Sequence, residues 1–225
     1  MLRFTPESTG IDPLSTAILP AAAPQAEPMN SAVDTAQVAP VFSRELAPLH
    51  QPGSAAALWV QAAGVVLLHP FLPKLLATLG VLHPSGETIA PSQLPRAAAL
   101  LHWLAWGRAE VFEFELGSIK VLLGLRPEDP LPLSAGLVGD TEREECEALL
   151  EAAISHWSVL RSTSVSGLRT SFLQRAGLLR VTDLGWQLQL EPASFDVLLT
   201  QLPWSFGTVK FKWMSQPLFT EWGSS

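Results

Sequence analysis

Cys146, the single cysteine, and the five histidines His50, His69, His83, His102 and His156 have the strongest claim to nucleophilic, acid–base or metal chemistry in this chain. Their spacing argues against it. A metal site built on one element needs ligands a helical turn or a hairpin apart. No histidine here lies three or four residues from another histidine or from Cys146. His102 and His156 each precede a tryptophan on an apolar stretch, where a hydrogen-bonded, partly buried histidine is the commoner outcome. Cys146 stands between Glu145 and Glu147, whose negative charge opposes thiolate formation. The chain contains no G-x-S-x-G, no glycine loop followed by a phosphate-binding lysine, and no H-E-x-x-H. The residues therefore predict no catalytic group, no cofactor-binding group and no metal ligand.

The acidic run 140–147 has a structural explanation. Thr141 and Glu144 have capping-box spacing, and the other acids place negative charge at the positive end of a helix dipole. The run reads as a helix start, and Cys146, Leu149, Leu150, Ala153, Ile154, Trp157 and Leu160 form that helix's apolar face over 140–160.

The aromatic residues are the unusual feature, with eight tryptophans and no tyrosine. Trp59, Trp103, Trp106 and Trp157 fall on predicted helices and read as core. Residues 202–222 gather Trp204, Phe206, Phe211, Trp213, Phe219 and Trp222 with proline, methionine and little charge, a composition that suits a protein interface. Closing a small sheet over the helices accounts for the same residues equally well. These six are the candidate protein-interaction residues.

The elements that must position them follow from periodicity. Residues 55–68 are apolar nearly all round and predict a helix buried at the centre of the domain, broken by Pro70 and Pro73. Further helices are predicted over 73–79 before Gly80, from Leu94 to a stop at Gly107, over 116–123 before Gly124, and over 165–175 before Gly177. Residues 84–91 read as a loop. After Gly177 the period changes to two. Leu179 and Val181, then Trp186, Leu188 and Leu190, predict a hairpin around Asp183, Leu184 and Gly185. Residues 192–202 return to helical spacing, and Val209, Phe211 and Trp213 predict a third strand. The fold class is α+β, mainly α, a compact helical domain over 55–225 with a small antiparallel sheet near the C-terminus. Residues 1–54, rich in proline and alanine without periodicity, read as a disordered tail or linker whose one apolar patch is Val41, Phe42, Leu46 and Leu49.

Composition narrows the class of partner. Apolar residues make up 48% and charged residues 16%, against about 25% charged in an ordinary soluble domain, so a core or a partner must cover much apolar surface. The formal charge of -7 with no basic run lacks the footprint needed to neutralise phosphates, which argues against nucleic acid. The apolar run 55–68 is shorter than the roughly 20 residues of a membrane span, and with no leader-like start the expected place of synthesis is the cytoplasm.

Several strings carry a family resemblance. QAAGVVLLHPFLPKLLATLGVL, AAALLHWLAWG, IKVLLGLRPEDPLP, the acidic-start helix continuing through WSVLRSTSVSGLRTSFLQRAGLL, and GWQLQLEPASFDVLLTQLPWSFGTVKFKWMSQPLFTEW occur in order from Ala57 to Trp222. Together they resemble the C-terminal domain of the contractile injection system tape measure family. Gln61 stands where that family often has asparagine. The resemblance implies a structural component of a phage-tail-like particle that acts in inner-tube length control and assembly on the baseplate. It implies incorporation in the tube or baseplate and partners among inner-tube, baseplate or tube-terminating subunits. It implies neither a cofactor nor catalysis. An adaptor or chaperone-like binding module for the same particle is the alternative. A helical ruler for a tube on the order of 1,000 Å needs roughly 670 residues at about 1.5 Å each. The sequence contains no such helix, so either the ruler is encoded elsewhere or this chain is a short family member with an end-anchoring or assembly role.

Overall fold

The computed structural model describes residues 57–223. The expected tail, with its patch Val41, Phe42, Leu46 and Leu49, lies outside the described residues. So does the first part of the helix predicted over 55–68.

The rest of that stretch corrects the expectation. Leu58–Val60 is a strand, β1, and Ala63–Leu68 is a 3-10 turn, with Ala62 between them in the left-handed region at φ 51. All six residues of the turn are buried, as a central helix would be. Their backbone is committed to tertiary partners instead. The Ala63 N–H donates to the Arg175 carbonyl at 2.9 Å, and Gly64 lies so close to residue 172 that a Cβ there would sit 1.6 Å from the Phe172 carbonyl oxygen. Tertiary packing of this closeness overrides local helical preference.

The next helices form where the pattern predicts them. Helix α1 (Leu72–Thr78) and helix α2 (Leu94–Trp106) each carry proline in the first turn, where its missing N–H has no helical partner to lose. Gly80, Gly107 and Gly124 take positive φ after α1, after α2 and after α3 (Gly117–Leu122). Helix α2 is the central element, with Ala97, Ala98, Leu100, Leu101, Leu104 and Ala105 fully buried.

Helix α4 (Asp140–His156) buries Cys146, Leu149, Leu150, Ala153 and Ile154 on one face. Two details differ from the reading. The cap is made by Glu142, whose Oε2 accepts from the Gly139 N–H at 2.6 Å, not by Thr141 and Glu144. The helix also stops at His156, and Ser158–Leu160 continues as a 3-10 turn around the buried Trp157. The helix predicted over 165–175 is a single α turn, α5 (Val165–Leu168), followed by a π turn over Arg169–Leu173. From that region Arg169 Nε donates to the Leu104 carbonyl at 3.1 Å and Gln174 Nε2 to the Ala105 carbonyl at 3.0 Å. Both satisfy carbonyls that the end of α2 leaves without helical donors.

The sheet has five strands in the order β1-β2-β3-β5-β4. The predicted hairpin is β2 (Gly177–Thr182) and β3 (Gly185–Leu190), paired from Gly177 with Leu190 to Thr182 with Gly185. The strand predicted through Trp213 is only two residues long, β4 (Thr208–Val209), and residues 194–201 form a 3-10 turn. Strand β5 (Leu218–Trp222) was not legible as a strand, and it pairs parallel with β3 and antiparallel with β4. Leu179, Leu188, Leu190, Val209 and Leu218 bury one face of the sheet. By the alternation of strand side chains, Trp59, Arg180, Gln187, Gln189, Phe219 and Glu221 belong to the other.

Candidate functional site

The groups with chemical potential are placed where they do structural work. His102 on α2 is fully buried, and its Nε2 lies 2.8 Å from Glu115 Oε2. Glu115 is itself buried and is paired on its other oxygen with Arg108, whose guanidinium also covers the Trp106 and Phe112 rings at 5.2 and 5.1 Å. Among the described residues His102 Nδ1 has no partner. Burial holds the imidazole below its ordinary pKa, against the opposing pull of the Glu115 carboxylate. A neutral ring donating from Nε2 fits this cage, because a second proton on Nδ1 would lack an acceptor. Nearby, Lys120 is 2% exposed, paired with Glu113 and donating to the Pro127 carbonyl at 2.9 Å.

Cys146 is also buried, and its thiol is pushed up to about 12, first by burial and then by the Glu147 and Glu142 carboxylates. A thiol so placed is a poor nucleophile at neutral pH. His69, half-buried beside the Val66 carbonyl, is held below its ordinary value by burial.

The six aromatic candidates share one segment but fall into four places. Trp204 is half-buried, donates from Nε1 to the Leu67 carbonyl at 2.8 Å, and meets Phe71 edge-on at 5.1 Å. Phe211 is buried and stacks on Trp213 at 4.6 Å, while Trp213 Nε1 donates to the Leu122 carbonyl at 3.0 Å. Phe206 and Trp222 meet edge-on at 5.9 Å, and Arg175 lies 5.4 Å over the Trp222 ring while paired with Asp196 at 2.7 Å. Phe219 is half-buried, opposite Gln187 in the sheet. Two indole N–H groups thus pin the segment to the 3-10 turn and to α3. Phe206, Phe219 and Trp222 keep part of their surface open. Phe206 and Trp222 line a shallow depression with Val197 and Leu199.

Sequence reasoning missed the most exposed apolar side chains. Trp59, read as core, is 59% exposed on edge strand β1, because alternation sends it opposite to the buried Val60. Phe112 and Phe114 stack at 5.7 Å on the surface before α3, and Leu184 stands at the hairpin tip. The alternating V-F-E-F-E string was the available signal for the phenylalanine pair.

The family model described as contractile injection system tape measure protein matches residues 8–222. The chain belongs to that family. The match begins well before Ala57, where the sequence resemblance begins, so family character extends into the stretch read as a tail. No curated protein and no solved structure matches the chain. Membership in the tape measure family gives the protein a structural role related to tape measures in a contractile injection system, with partners among the components of that system. Among the described residues no helix is long and apolar enough to cross a membrane.

Proposed function

We propose that this tape measure family member is a non-catalytic assembly component that acts in inner-tube length control and in assembly on the baseplate, by anchoring one end of the tube. The family match over residues 8–222 carries this reading. The dimensions of the described body support the anchoring part. Its longest helix, α4, has 17 residues, about 25 Å, far short of a ruler for a tube on the order of 1,000 Å. In this proposal residues 55–225 form the docking body and residues 1–54 a tail or linker, made in the cytoplasm and carried into the tube or baseplate. The body docks on tube, baseplate or tube-terminating subunits through the C-terminal aromatic segment. Trp204, Phe211 and Trp213 hold that segment in place, Phe206 and Trp222 offer one contact surface, and Phe219 offers another on the opposite face of the sheet.

Electron microscopy of particles from a strain lacking the gene, complemented with wild type or with Phe219→Ser, tests the reading. Loss of particles or of uniform tube length without the gene, restored by wild type and not by the folded Phe219→Ser chain, is expected. Normal particles without the gene would refute it. Mass spectrometry of purified particles separates an anchor, retained at low copy number, from an adaptor that departs before maturity.

A further inference from the structure

The segment from Arg108 to Glu115 is held to the body by charge, with little apolar surface buried beneath it. Ala109, Glu110, Phe112, Glu113 and Phe114 are exposed, and the two phenylalanine rings stack on each other at 5.7 Å. The anchors are polar. Glu115 lies 2.8 Å from His102 Nε2 and pairs with Arg108, while Glu113 pairs with Lys120, which is buried on α3 and donates to the Pro127 carbonyl at 2.9 Å. A segment with few buried apolar contacts opens at low cost once such anchors fail.

His102 is the one anchor whose ordinary pKa lies near neutrality. It is fully buried, and its Nδ1 has no partner among the described residues. Trp106, stacked beside it at 6.2 Å, offers an indole donor and no acceptor. A second proton would therefore be buried on Nδ1 without an acceptor while the cage is closed. With the segment lifted, the imidazole meets water and regains its ordinary value of 6.5. Two charges face the ring: Glu115, which favours the cation, and Arg108, which opposes it. On the elements packed against α2, other charged groups are engaged elsewhere: Lys120 of α3 with Glu113, Arg169 of the π turn with Glu147 and Arg143 of α4 with Asp140. The turn Ala63–Leu68 carries no charge.

We propose that the His102–Glu115–Arg108 cage is an acid-released latch: it is closed at neutral pH, and proton uptake by His102 frees residues 108–115 and disperses the phenylalanine pair while the helical core stays folded. The closed state excludes the second proton, so the latch has its full strength above about pH 6.5 and weakens as pH falls from there. The Glu115 and Leu116 amides, which donate to the Phe112 and Glu113 carbonyls at 3.0 and 3.2 Å, report its opening by hydrogen exchange on the full chain. After correction for the intrinsic exchange rate, their opening is expected to rise about three- to tenfold from pH 7.5 to 5.5, tenfold being the limit for one proton on a group of ordinary pKa. Local release also requires them to exchange at least about tenfold faster than amides in the middle of α4 at both pH values. His102→Gln can still donate to Glu115 but cannot titrate, and it is expected to hold the rise below about twofold. His69→Gln removes the other histidine of lowered pKa and is expected to keep the wild-type response. Unfolding midpoints at pH 7.5 verify that both variants fold. Where His102→Gln does not, imidazole NMR of the wild type decides, with an Nε2–H tautomer and a pKa below 6.5 expected. No rise in the wild type, an equal rise in His102→Gln, loss of the rise in His69→Gln, exchange no faster than in α4, or an Nδ1–H tautomer each overturn the proposal.

Discussion

The 3-10 turn Ala63–Leu68 and the segment from Leu202 to Pro217, which leads into β5, are held by opposite means. The turn is aliphatic, at most 2% exposed at Ala63, Val65, Val66, Leu67 and Leu68, and fixed by a backbone approach at Gly64 that leaves no room for a side chain. The C-terminal segment is aromatic, with Trp204, Phe206 and Trp213 half-buried, and is fixed at points by indole N–H groups reaching the Leu67 and Leu122 carbonyls. Aliphatic chains fill volume and have no polar end to place. Indoles cover apolar surface while spending their one donor on a specific acceptor. The first arrangement should open only with the whole body, and the second, a strap, should release locally.

The widest test of this contrast is Gly64→Ala. Its Cβ collides with the Phe172 carbonyl, and a loss of more than about 4 kcal/mol is expected from urea unfolding, in the range reserved for severe core or backbone lesions. A loss below about 1 kcal/mol would erase the distinction between turn and strap. Trp213→Phe keeps the stacking partner of Phe211 but leaves the Leu122 carbonyl without its donor, for an expected cost of about 1–3 kcal/mol. Hydrogen exchange sharpens this result, because amides of residues 204–217 should lose protection before those of α2 do.

Acid should act on the body through its histidines. Burial lowers the His102 and His69 pKa values in the folded protein below the ordinary 6.5. The unfolded chain therefore takes up protons first as pH falls, so their contribution is complete above about 6.5 and declines as pH drops from there through the folded values. Urea midpoints at pH 7.5, 6.5 and 5.5 should fall in that order, and His102→Gln should flatten the slope. The smallest effect belongs to Glu87→Ala. This change removes the exposed 3.3 Å pair with Lys212 on the strap, and it should alter stability by no more than about 0.5 kcal/mol, as is usual for surface ion pairs.

The sequence was informative wherever local chemistry decides structure. Pro73 opened a helix, Gly80, Gly107 and Gly124 ended helices, and the 2-period after Gly177 marked the hairpin. It misled where tertiary contacts override the local pattern. The all-round apolar run before His69 is silent about the Arg175 carbonyl that takes the Ala63 N–H and the Phe172 carbonyl that leaves no room for a side chain at Gly64. Leu218 to Trp222 pairs parallel with a strand some 30 residues earlier, for which no short-range signal exists. For the candidate site, composition pointed to six aromatics as a set. The division between pins and open surface depends on which carbonyls lie within reach of Trp204 and Trp213, and that information exists only in three dimensions.

The place of β5 has a consequence for biosynthesis. This late strand inserts between β3 and β4, so both neighbours wait with a bare edge while the ribosome finishes the stretch that joins them. Domains form from the N-terminal side as synthesis proceeds, and unpaired edges are sticky in the interval. A message cut short before Leu218 would therefore yield a chain with most of its hydrophobic interior and two open seams, a product destined for aggregation or proteolysis.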